Sequence, residues 1–293
     1  RGSLGWENRR VNTRGHRFKI GLKPSAIRSS ITAEYLIPFK KILTENLLYT
    51  AGWSTEDTET AESQRFYGGI QFSRMRHGWK ESLYARYEQE EFTIGDDSGN
   101  TTLLIPGISW VRIITDDPVF STRGSRVFLD IRGAHESLLS DTSFLQMRTQ
   151  VKYIRGISSS GRFIIRGEGG TSLTSSFSEL PPSVRFFAGG DHSVRGYAYN
   201  SLGPEDEKNN VTGGRHLLAG SIEYEQRIKD KWSAAVFYDI GNAIDSFSDS
   251  LKSAAGIGIR WKSPVGPVRA DLAFPLNASD ESWRIHFIVG PDL

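Results

Sequence analysis

Apolar and polar residues alternate along this chain in runs of roughly ten positions, repeated from end to end. The clearest run is Phe144 to Ile154. Leu145, Met147, Thr149, Val151 and Tyr153 fall on one face, and Gln146, Arg148, Gln150 and Lys152 on the other. Arg126 to Arg132 sets Val127, Leu129 and Ile131 against Asp130 and Arg132, and Leu218 to Gln226 sets Ile222 and Tyr224 against Ser221, Glu223 and Glu225. Successive side chains of a strand point to opposite faces, so each run predicts a strand with one apolar and one polar face. About fifteen such strands are expected, from residues 2–10 to residues 282–290. One run resists sorting: Leu103 to Ile114 is apolar on both faces.

Helical periodicity is absent. No segment approaches the roughly 20 continuous apolar residues of a membrane-crossing helix; the run Ala234 to Tyr238 ends at once on Asp239. A membrane β-barrel remains open, because only every second strand residue faces lipid. The polar face carries Arg, Glu, Asp and Gln among many Gly, as a crowded wet lumen would. Short links are expected at residues 155–161, 227–231 and 263–266, and longer polar ones at 54–63, 94–100, 134–141 and 242–250. Short turns on one side and long loops on the other mark an outer-membrane barrel. The expected fold is therefore an all-β, transmembrane antiparallel barrel. Bacterial single-chain barrels have even strand counts, so a further strand is expected upstream of Arg1. Residues 170–214 form one connection far longer than the rest, and it is not of low complexity.

Composition narrows function more than fold. A net charge of +2, from 36 basic and 34 acidic residues, is too balanced to argue for a nucleic-acid partner. Cysteine is absent, which excludes thiol catalysis and cysteine metal sites. The opening Arg1, with neither Met nor signal peptide, suggests a longer or processed precursor. Mean hydropathy is -0.39, compatible with the diluted average of a barrel with a polar interior.

The long connection contains Phe186-Phe187-Ala188-Gly189-Gly190-Asp191-His192-Ser193-Val194-Arg195-Gly196-Tyr197. Downstream stand Gly220-Ser221-Ile222-Glu223-Tyr224, Val236-Phe237-Tyr238-Asp239-Ile240-Gly241, Gly256-Ile257-Gly258-Ile259-Arg260-Trp261 and Ser263-Pro264-Val265-Gly266-Pro267. This ordered set resembles the BamA/TamA/FhaC superfamily of outer-membrane assembly and translocation barrels, and the longer loop form resembles its TamA branch. The resemblance covers essentially the whole chain. It implies a 16-stranded family barrel whose long sixth loop folds into the lumen. It also implies that Arg195 pairs with Glu223 and Asp239 on the next two strands, within a motif of Gly189, Gly190, Asp191, Val194, Arg195, Gly196 and Tyr197. Alternation independently turns Glu223 inward. Asp239 also turns inward, although Phe237 shares its face. Guanidinium suits the task, because its fixed fork can serve two carboxylates.

The resemblance further implies assistance to β-barrel or autotransporter insertion through a lateral seam. The seam residues would be Trp283, Ile285, Phe287, Gly290 and Pro291, since Pro cannot donate to a ladder and is confined to edges, strand starts and bulges. Implied partners are the outer-membrane bilayer, unfolded β-protein substrates and a TamB-like inner-membrane-anchored protein, with POTRA domains upstream. No enzyme activity and no cofactor are expected. Glu223 and Asp239 could instead be a glycosidase pair, but the Arg explains both. Asp191-His192-Ser193 are adjacent and cannot form a triad. The six His lack metal-ligand spacing. The rival functions are a passive porin, which predicts an open lumen, and an FhaC-type exporter, which predicts a plug helix before Arg1.

Overall fold

In a computed structural model, residues 3–39, 41, 44–58, 61–263, 266–277 and 283–293 are described. Arg1, Gly2, Pro264, Val265 and Ser282, which entered the sequence expectations, lie outside them. Among the described residues fifteen strands form one sheet in sequential order. They are β1 Leu4–Asn8, β2 Arg17–Lys23, β3 Arg28–Pro38, β4 Glu45–Asp57, β5 Ala61–Arg76, β6 Trp79–Ile94, β7 Asp97–Thr115 and β8 Arg123–Ala134. The others are β9 Phe144–Gly156, β10 Gly161–Thr174, β11 His216–Lys229, β12 Trp232–Ile244, β13 Lys252–Ser263, β14 Gly266–Pro275 and β15 Arg284–Val289. Each pairs antiparallel with its predecessor. Among the described residues the sole helical element is a single 3-10 turn, Pro182–Val184.

The strands outrun their expected ends on the long-loop side. Ladder pairs Asp57↔Glu62 and Ile94↔Asp97 occupy most of what the sequence marked as loops at 54–63 and 94–100. Likewise Gly170 to Thr174 belong to β10, so the long loop begins at residue 175. At a rise of about 3.3 Å per residue, the 19 residues of β7 far exceed a bilayer core of about 30 Å. Polar alternation therefore continues as strand beyond the membrane, where composition alone reads as loop.

The outer face is apolar and exposed. Leu83, Leu145, Ile165, Ile222, Val236 and Ile257 are each about half exposed or more, while their inward neighbours Glu225, Ser233, Ala235 and Asp239 are buried. A continuous apolar exterior of this extent is a lipid-facing surface. Trp232 and Trp261 stack across β12 and β13 with centroids 6.0 Å apart, as interfacial aromatics do.

The inner face wraps around residues 175–215. Asn200 Nδ2 donates to Glu56 on β4 at 3.2 Å, Gln146 on β9 donates to the Val184 carbonyl at 2.7 Å, and the Gly196 amide donates to His286 on β15 at 3.0 Å. One segment touching strands from both halves of the sheet requires a strongly curved sheet with that segment in its lumen. The two-faced run in β7 finds its explanation here: Leu103 and Ile105 point inward and pack with Leu180 and Val184 of the loop. Among the described residues β1 pairs only with β2 and β15 only with β14, so no ladder joins the two ends.

Candidate functional site

The loop is built to aim one side chain. Arg185, buried, donates to the carbonyls of Leu180, Ser178 and Thr212, which ties the two limbs together. Bridges Phe186↔Gly214 and Ala188↔Leu202 continue the closure. Between them the chain turns sharply. The Gly190 amide donates to the Val194 carbonyl and the Gly189 amide to Ser193 Oγ. Gly189 adopts φ +99, and a Cβ there would lie 2.3 Å from the Ala198 carbonyl oxygen. Only glycine fits both the backbone angle and the approach. Val194 and Tyr197 anchor the far side of the turn in an apolar cluster with Leu217, Ala243 and Ala254.

Arg195 leaves this turn and meets carboxylates from three strands. Its Nε and Nη2 donate to the two oxygens of Asp239 at 2.7 and 2.9 Å. Its backbone amide also donates to Asp239, at 3.0 Å. Nη1 donates to Glu223 at 2.8 Å and to Asp271 at 3.0 Å. The guanidinium carbon lies 3.4 Å from the centre of the Phe237 ring, which explains why an aromatic shares the inward face with Asp239: it is the cation's platform. Gly256 makes room for that ring, since a Cβ there would stand 2.4 Å from it.

The sequence reading named Arg195, Glu223 and Asp239 and missed the rest of the network. Arg260 on β13 donates to Glu223 at 3.1 and 2.8 Å and to Asp271 on β14 at 2.6 Å. Arg166 on β10 lies 3.6 Å from Asp239 and donates to Ser221. Three guanidinium groups thus balance three carboxylates, which offsets mutual repulsion in a buried cluster. Asp271 alternates with Val268, Ala270, Leu272 and Phe274, so period-2 parity turns it to the polar face, and Arg260 sits inward with Gly256 and Gly258. What parity could not supply was which inward charges face each other across the lumen.

The remaining motif residues fall as follows. Asp191 Oδ1 accepts from His286 Nδ1. His192 and Ser193 make no triad: Ser193 Oγ is an acceptor for the Gly189 amide. Gly196, at φ +96, passes against Ala254 and Pro275. Ile285 and Phe287 on β15, and Trp283 just ahead of it, are exposed at this edge. The Gly290 amide donates to the Pro267 carbonyl, and past the exposed Pro291 the chain turns inward. Asp292, buried, pairs there with Arg162 and Arg269.

Residues 14–292 match the family model described as the Omp85 superfamily domain. Among known proteins the chain is 25% identical over 237 residues to outer membrane protein assembly factor BamA of Nitratidesulfovibrio vulgaris, covering 75% of this chain. It is 27% identical over 245 residues to BamA of Neisseria meningitidis serogroup B, covering 68% of this chain. The chain spans 30% of the length of each of these relatives. In fold it resembles the crystal structure of Haemophilus ducreyi BamA lacking POTRA domains 1-3, with TM-score 0.85 at 16% identity, over 99% of this chain and 66% of that one. It also resembles CdiB from Acinetobacter baumannii, with TM-score 0.61 at 13% identity, over 93% and 52% of the two chains.

Proposed function

This chain belongs to the Omp85 superfamily, and from that premise we propose that it is the membrane barrel of a factor that assembles or translocates β-proteins in the outer membrane of a Gram-negative bacterium. The observation that carries the reading is a lumen filled by residues 175–215 and held by the Arg195 network. A passive pore has no use for a filled lumen. An unpaired strand edge is a hydrogen-bonding template, and leaving it bare in lipid is costly. The work is non-covalent and not enzymatic. The barrel parts between its first and last strands, lends an edge to an incoming strand, and releases the product sideways.

Within the superfamily the finer reading is TamA-like, with autotransporters as substrates and a TamB-like inner-membrane partner. Its support is the extended loop form Phe186 to Tyr197. The neighbouring reading, a BamA-type general assembly factor, has the relatives' names and the 0.85 TM-score on its side. Substrate range separates the two. A TamA-like protein assists autotransporters selectively and with its partner, whereas a general factor inserts simple barrels equally well.

These 293 residues contain no cysteine, so a pair introduced into the barrel competes with no thiol of the barrel itself. In the full-length protein, cysteine pairs across the first and last strands are closed by oxidation in lipid vesicles, and insertion of an unfolded β-protein is followed. Locking should stop insertion and a reductant should restore it. Undiminished insertion by the locked protein would refute lateral opening.

A further inference from the structure

We propose that His286 is a positioning residue that couples the lumenal loop to the edge strand β15, so that the loop motif is fully bonded only while β15 is in its closed place. This rests on the lateral-opening reading, since β15 is the strand that has to move.

The geometry is specific. His286 is buried at 7% exposure, while its neighbours Ile285 and Phe287 stand 55% and 70% exposed on the outer face. Its Nε2 lies 3.0 Å from the Gly196 amide. A backbone amide can only donate, so Nε2 is the acceptor and Nδ1 carries the ring proton. That proton is directed at Asp191 Oδ1. The neutral imidazole therefore fills a place that needs an acceptor at one end and a donor at the other. Asp191 lies within the turn that aims Arg195, and Gly196 directly follows Arg195.

Two consecutive amides of the motif are captured by different strands. Arg195 N–H goes to Asp239 on β12, and Gly196 N–H to His286 on β15. Asp239 sits inside the sheet, between β11 and β13. His286 sits on a six-residue strand with a ladder on one side only among the described residues. Displacing β15 would strip the buried Gly196 amide of its acceptor and take the His286 N–H away from Asp191, and a buried unpaired backbone group is costly. Conversely, the loop supplies this short edge strand with a hold beyond its ladder to β14.

Hydrogen exchange of the full-length protein in lipid discs, without substrate, tests the coupling independently of assembly activity. His286→Ala should speed exchange of the 284–289 amides and of Gly196 by about tenfold, the effect of losing two modest hydrogen bonds, with β9 to β11 unchanged. His286→Gln can reach Gly196 and His286→Asn can reach Asp191, so each should fall between wild type and Ala. Asp191→Ala should speed the same amides. Wild-type exchange in His286→Ala would overturn the proposal, as would acceleration spread evenly over the sheet, or Gln and Asn variants indistinguishable from Ala. If exchange behaves as expected but the wild-type protein inserts no substrate, the coupling stands and the assembly reading falls.

Discussion

Arg195 and Asp239 meet through three hydrogen bonds: two from the guanidinium and one from the Arg195 backbone amide. Side chain and main chain of one loop residue are thus fixed by one carboxylate on β12, at 0% exposure. Removing one member of a buried ion pair costs about 3–5 kcal/mol, and the lower end is expected beside a partly wet lumen. Asp239→Ala and Arg195→Ala should each lower the thermal midpoint of the folded barrel, read by its electrophoretic mobility shift. Each should also expose residues 175–215 to protease. Arg195→Lys should rescue poorly, because a single ammonium cannot present a fork to three carboxylates.

Arg260 tests whether the network is a unit. It bridges Glu223 and Asp271, the same two carboxylates that share Arg195 Nη1. Residues in one ionic network couple by about 0.5–3 kcal/mol. The stability loss of Arg260→Ala with Asp271→Ala together should be smaller than the sum of the two single losses, measured in denaturant. Strict additivity would mean that the two side chains are energetically independent.

The Phe237 platform is open to the same treatment. A desolvated cation over an aromatic ring is worth up to about 2 kcal/mol. Phe237→Leu keeps most of the apolar volume and loses the ring face, so it should destabilise by about that amount. Gly256→Ala should act on the same ring, because the added methyl group would collide with both Phe237 and the Leu272 carbonyl oxygen. If Gly256→Ala is tolerated without loss, the ring is not wedged in place.

Occlusion is measurable as current. With residues 175–215 in the lumen, the intact protein should conduct poorly in a planar bilayer. Deleting Gly189 to Tyr197 should raise conductance several-fold. Large steady currents from the intact protein would favour the passive-pore reading.

A pH effect is expected in the turn between β7 and β8. Asp116 accepts from the Thr122 hydroxyl and from the Arg123 and Thr122 amides. These bonds hold its carboxyl at about 2, below the ordinary Asp value, the Thr122 hydroxyl contributing most. A depressed folded pKa means that the turn is favoured above the ordinary Asp range and loses that support as pH falls through about 2. Amide exchange at Thr122 and Arg123 should therefore stay slow through pH 4. Asp116→Asn should abolish the acid dependence at these amides.

Much of this protein was determined by its sequence alone. A period of two is a local property, since side-chain direction follows from backbone pleat, so about fifteen strands, and the inward and outward faces of the runs that alternate, could be read without knowing a single contact. Glu223 and Asp239 were assigned to the interior on that ground, and the family resemblance of the loop motif implied Arg195 as their cation. Tertiary structure decided what depends on distance across the lumen. Leu103 and Ile105 are apolar on the inner face because Leu180 and Val184 pack there. Phe237 breaks polar alternation because Arg195 lies over it. Arg260, Arg166 and Asp271 join the network, and His286 meets Gly196, because curving a twisted sheet around a folded loop brings together residues far apart in sequence. Period fixes which side of a strand a charge occupies; only curvature and strand register fix which charge it meets.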